Sequence, residues 1–178
     1  MAGSPGAAAL DAVKGEFRRY RALADGALEQ LRDDELAAPD PGGNSAAVLV
    51  WHLSGNLRSR FTNFLTSDGE KPWRNREEEF AARPVSRAEL EEKWAAGWQC
   101  LDQALDALAE DDLAGTVTIR SVEHTAVEAL LRSVSHVAYH TGQLVALTRR
   151  LRGGDWRYLS IPPGGSGEYN QNLTREKG

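Results

Sequence analysis

The chain is poor in the residues that would tie it to several large classes of protein. It has one cysteine, Cys100, among 178 residues. That excludes an intrachain disulfide framework and a zinc site built on several thiolates. A lone cysteine in a helical pattern reads as a small core residue before it reads as a nucleophile. No apolar run approaches the ~18 residues that a membrane span needs. Residues 1–6 lack a basic start leading into an apolar stretch, so no secretory leader is expected and a cytoplasmic setting is the default. Positive charge is not in excess either. A net charge of −5 speaks against a nucleic-acid partner bound by a broad basic surface. There is no internal repeat and no low-complexity block.

The length suits a single domain over residues 1–178, with enough chain to bury a core. Four stretches carry helical periodicity. The first starts at Ser4 and Pro5, a good N-cap followed by a residue tolerated in the first turn. Leu10, Val13, Phe17, Tyr20, Ala24, Ala27 and Leu31 make its apolar stripe, and the helix is expected to fade near Leu36 before the breakers of residues 39–43. The second begins at Asn44 or Ser45 and runs through Trp51, His52, Leu57, Phe61 and Leu65 to the turn signal Asp68-Gly69. Gly55, one turn after His52, leaves room for a close neighbour. The third opens on the capping box Ser86 to Glu89, carries Trp94 and Trp98 on one stripe, and ends around residues 109–112. Two tryptophans so placed read as core or as a dimer surface. The fourth opens on a second capping box, Thr125 to Glu128, and reaches Arg152 before Gly153-Gly154.

Between helices two and three, residues 70–84 form a connection longer than bundle loops usually are, with a helical turn expected within 77–82. Residues 116–120 alternate like a strand, which predicts an extended linker or a small hairpin. The tail, residues 153–172, holds Trp156, Tyr158, Leu159, Ile161 and Tyr169, too many large apolar groups for a disordered segment. It is expected to fold back over the helices, with residues 173–178 frayed. The pattern predicts an all-α four-helix bundle with a long loop after helix two and a packed C-terminal tail.

His136 and His140 stand four residues apart on the fourth helix and so project from one face, a turn apart. His52 lies on the second helix. Two ligands from one helix and a third from a facing helix are what a metal site across a bundle requires. Three imidazoles leave a fourth coordination position open, as at catalytic metals. Nitrogen ligands suit zinc, nickel, copper or iron. The outer spacing of His136 and His140 is that of the zinc-protease helix, but Val137 stands where its general-base glutamate would be, which argues against a peptidase. Asn56, Ser59, Ser133 and Gln143 share faces with the histidines and can hold their outer nitrogens. His124 sits at the mouth of the fourth helix, in a capping or rim position. Arg58, Arg60, Arg74 and Arg76 can grip an anionic substrate or pair with Glu70, Glu77, Glu78 and Glu79.

A histidine on helix two, the His136–His140 pair on helix four and the helical layout together resemble the DinB/YfiT-like superfamily. The stretches at residues 55–61, 66–74, 116–120 and 158–162 are similar to an uncharacterised domain-of-unknown-function branch of it. The resemblance spans essentially the whole chain. It implies a homodimer whose divalent metal is held by His52, His136 and His140, with zinc or nickel ahead of iron or manganese. It also implies a small-molecule substrate, with a low-molecular-weight thiol as the candidate co-substrate. The expected reaction is thiol transfer to an electrophile through a metal-bound thiolate. Metal-dependent hydrolysis and a non-enzymatic, metal-binding dimeric stress protein are the alternatives. Arg58, Arg60, Trp73 and Tyr158 are expected to form the substrate face, with the tail over the site. Neither nucleic acid nor a membrane is expected as a partner.

Overall fold

The computed structural model describes residues 4–171 except Pro39 and Gly42. Most of these residues are helical. Four helices are long: α1 (Pro5–Leu28), α2 (Ala46–Phe61), α4 (Arg87–Ala107) and α5 (Ala126–Arg152). Two are short, α3 (Arg76–Glu79) and α6 (Ser166–Gln171), and β1 (Thr116–Ile119) pairs with β2 (Val122–Thr125) in an antiparallel hairpin. Helix α1 lies along α5, and α2 lies along both α4 and α5. No helix among the described residues is long and apolar enough to cross a membrane.

The helix starts follow from their caps. Ser4 accepts a hydrogen bond from the Ala7 N–H and Ser45 one from the Val48 N–H. Ser86 with Glu89, and Thr125 with Glu128, form the two capping boxes that their sequences announce. The helix ends come earlier than the apolar stripes suggest. Helix α1 stops at Leu28, not near Leu36, because the Arg87 guanidinium takes the Leu28 and Leu31 carbonyls at 3.2 and 2.6 Å. Those carbonyls then need no further helical turn. Leu31 and Leu36 are buried all the same, from outside the helix. Helix α2 stops at Phe61, short of the Asp68-Gly69 turn, because Asn63 adopts a left-handed φ of 50°. Of the breakers after α1, Pro39 and Gly42 lie outside the described residues, as do residues 172–178, where the end of the tail and its fraying were expected.

Trp94 and Trp98 both belong to the core, and the Trp94 indole N–H donates to Asp25 of α1 at 2.6 Å. Residues 116–125 resolve the choice between linker and hairpin in favour of the hairpin. Its tip, Arg120 and Ser121, has positive φ at both residues, 55° and 61°. That is a mirror-image turn normally given to Gly or Asn. Asp68 steadies it, its carboxylate accepting from the N–H groups of Arg120 and Ser121 at 2.9 and 2.7 Å. The connection after α2 is thereby fastened to the hairpin, and Gly69 N–H adds a bond to Thr118 O.

The described tail runs against α1. Gln30 exchanges two hydrogen bonds with the Arg157 backbone, and Leu159 fills the space left by the missing side chain of Gly26.

Candidate metal centre

The facing surfaces of α2 and α5 bring three histidines together. His52 and His140 are buried, and His136 is partly so. The three rings are mutually edge-on, with centroids 4.6 to 5.1 Å apart. One ring nitrogen from each lies within 4.8 Å of the others, and His52 Nε2 stands 3.1 Å from His136 Nε2. Outer partners set the tautomers of two rings. His52 Nδ1 donates to Glu79 Oε2 at 2.9 Å, and His140 Nδ1 donates to Gln143 Oε1 at 2.8 Å. Each of these rings then turns a bare Nε2 lone pair inward. Burial, followed by the neighbouring His140 and His52, pushes His136 down to about 3. Burial also lowers His140. Both imidazoles are neutral at pH 7, the form that binds a metal.

Glu79 comes from the long connection after α2. Asn75 caps α3 by accepting from the Glu78 N–H, and the single turn of helix swings Glu79 inward. Its carboxylate meets Arg74 in two parallel hydrogen bonds of 2.8 Å, besides the bond from His52. Burial alone would raise its pKa, but Arg74 and His52 outweigh burial and hold it below the usual carboxylate value. Gly55 admits this carboxylate. A Cβ on Gly55 would stand 2.7 Å from Glu79 Cδ. Phe80, the next residue, covers His52 with a ring 4.7 Å away.

The donor set fits a divalent cation. It consists of neutral nitrogens with two of the three outer nitrogens anchored, and it includes no thiolate. The third outer nitrogen, His136 Nδ1, is buried without a partner. The histidines floor a cavity of about 440 Å³ between α2, α5 and the hairpin. Residues 5–165 match a family model described as a protein of unknown function, DUF1572. The chain belongs to this family. No curated protein and no solved structure matches it. The family description carries no reaction, so the chemistry of this DUF1572 chain has to come from the site itself.

Asn56, Arg60, Ser133 and Gln143 line the histidine cavity. Gln143 alone among them bonds a ring, and the Ser133 hydroxyl is buried without a partner. Ser59 lies elsewhere. Its hydroxyl donates to Gly69 O at 2.7 Å and so pins the connection rather than an imidazole. Arg58 stacks over Trp73 at 5.5 Å beside a separate cavity of about 220 Å³. Tyr158 lies under Arg149 and lines a third cavity, against α1. No described residue of the tail lines the histidine cavity, over which the tail was expected. The tail's anchors, Gln30 and Gly26, are on and just beyond α1, which draws it along that helix. His124 pairs with Val117 in the hairpin and stands outside the cluster.

The sequence offers Glu79 only as an ion-pair partner of the arginines, and it does not single out Phe80, Arg120 or Arg132 for this site. A signal existed for two of them. Gly55 announces a close neighbour beside His52, and Arg132 precedes His136 by one helical turn.

Proposed function

We propose that this DUF1572 chain is a metal-dependent enzyme of the DinB/YfiT-like kind, a four-helix bundle holding a divalent cation on His52, His136 and His140. One observation carries the reading: three imidazole nitrogens converge at the floor of a cavity, two of them with their lone pairs turned inward by Glu79 and Gln143. Zinc or nickel suits the donors best, with iron or manganese behind. Such a cation, when bound, lowers the pKa of a thiol or water coordinated to it.

The favoured reaction is transfer of a low-molecular-weight thiol to an electrophilic small molecule. The new bond joins sulfur to the electrophilic carbon, that carbon's bond to its leaving group breaks with the electron pair going to the leaving group, and the thiol proton leaves to solvent. The protein's own part is to hold His52 through Glu79 and His140 through Gln143, and to shield His52 from water with Phe80. Hydrolysis is second, because it needs a carboxylate or another base free to take a proton from water. Among the described residues no Asp or Glu lines the cavity, and Glu79 has both oxygens engaged by Arg74 and His52. A metal-holding protein without catalysis is the third reading. A homodimer suits all three, with Leu131 and Tyr139 exposed on α5 as apolar surface for a second chain.

Metal analysis of the purified protein beside His136→Ala tests the reading. The wild type should carry or take up a stoichiometric divalent ion, and the variant should not. A wild type that refuses zinc, nickel, iron and manganese alike sinks it. Metal-dependent conjugation of a thiol to an electrophilic dye then supports transfer. Ester cleavage without thiol favours hydrolysis, and silence in both favours metal holding.

A further inference from the structure

The walls of the histidine cavity are cationic. Arg60, Arg74, Arg76, Arg120 and Arg132 line it, and among the described residues no Asp or Glu does. These arginines are not equivalent. Arg74 is consumed by the two hydrogen bonds it donates to Glu79. Arg76 pairs with Glu77 at 3.3 Å and lies over the Phe80 ring. Arg60 and Arg120 converge on one carboxylate, Glu70, at 3.3 and 2.9 Å, which leaves a positive charge over. The Arg132 guanidinium makes no hydrogen bond and no ion pair with any described residue.

The three incompletely neutralised arginines sit at one end. Arg132 precedes His136 by four residues on the same face of α5, a displacement of ~6 Å along the axis. Arg60 follows His52 by eight residues on α2, a displacement of ~12 Å. Arg60 and Ala129 border a common small void beside Ile119, so both displacements run towards the hairpin, whose tip carries Arg120. A ligand spanning the cavity meets nitrogen donors at one end and incompletely neutralised guanidinium groups at the other.

We infer that the substrate is a small molecule bearing a carboxylate or phosphate, received by Arg132 between Arg60 and Arg120 while its reacting atom sits at the histidines. This rests on the proposed role of the three histidines as the reacting end. Guanidinium groups suit such oxyanions because their N–H fork matches two oxygens at once. The bland alternative is a solvated surface arginine.

A matched pair of thiols separates the two. Cobalt-loaded protein would be titrated with 6-mercaptohexanoate and with 6-mercaptohexanol, reading the cobalt absorption bands. The acid should bind about tenfold more tightly than the alcohol, as expected for one charge-assisted contact. Arg132→Gln should weaken the acid to within about twofold of the alcohol and leave the alcohol unchanged, and Arg132→Lys should recover part of the difference. Equal binding of the two thiols to the wild type overturns the inference, as does equal weakening of both by Arg132→Gln. If neither thiol perturbs the cobalt, the thiol reading has failed rather than the anion end. Calorimetry with adipate then decides: binding lost in Arg132→Gln upholds the arginine end, and no binding to the wild type overturns it.

Discussion

On its α4 side α2 meets a glycine, and on its α5 side it meets two histidines. Ser54 faces Gly97 so closely that a Cβ on the glycine would stand 2.7 Å from the Ser54 Cα, and the Ser54 hydroxyl donates to Lys93 O at 2.7 Å. The other side is polar and hollow, with His136 Nδ1 and the Ser133 hydroxyl buried without partners. Ser54 and His52 are two residues apart, which on a helix turns them to nearly opposite faces, ~200° round. The close seam therefore fixes the rotation of α2 about its own axis. That rotation aims His52 at the α5 pair. The open seam carries unpaired polar groups that a core would not tolerate, and the close seam supplies the rigidity that lets it do so.

The largest effect should come from forcing the close seam apart. Gly97→Val places branched carbon against the Ser54 backbone, where no flexible side chain can give way. Overpacking of this kind costs about 2–3 kcal/mol, and the gain in helix propensity over glycine recovers only a few tenths. Urea unfolding should show the midpoint falling at unchanged slope. A midpoint within error of the wild type would mean that this seam does not hold α2 in place.

The two seams differed in how far the sequence revealed them. The histidines were legible because two four apart on a helix must share a face, and because His52 falls in a stretch that is apolar all round. The long helices were legible from their stripes and from the Ser86 and Thr125 capping boxes. Helix ends were not, since Arg87 stops α1 from 59 residues beyond Leu28, and no local pattern reports that. Glu79 was hidden for a related reason. Among Glu77, Glu78 and Glu79 only the last is buried, and what selects it is the gap at Gly55, 24 positions earlier. The glycine was visible as a gap, but its occupant was not. Tyr158 and Trp73, also singled out from the sequence, line other cavities than the one the histidines line.

The open seam should respond to a change of charge more than of shape. Glu79→Gln keeps the size of the side chain and removes the charge that holds Arg74 and the His52 N–H. Partners that orient a ligating imidazole typically contribute about 10–100-fold in metal affinity. The variant should therefore bind zinc about 10–100-fold more weakly while staying folded by circular dichroism. Competition with a coloured chelator measures this directly. An unchanged affinity would show that His52 needs no help from the connection after α2.

The smallest effect should come from the hairpin end, where the open seam closes. Asp68 is drawn down to about 2 from an ordinary 3.8, first by the Glu70 N–H, then by that of Ser121 against a little desolvation, with Arg120 N–H adding to it. A carboxyl with a lower pKa folded than unfolded stabilises the fold above its unfolded value. That stabilisation is lost as the pH falls from about 4 to about 2. The side chain is partly exposed, so the effect is modest. Asp68→Asn keeps one acceptor oxygen and loses the charge, at a cost of under about 1 kcal/mol at neutral pH. Unfolding midpoints of wild type and variant should differ at pH 7 and converge near pH 2. A gap that persists at the low end would assign the loss to shape, and the two left-handed residues at the hairpin tip would then owe little to the carboxylate beneath them.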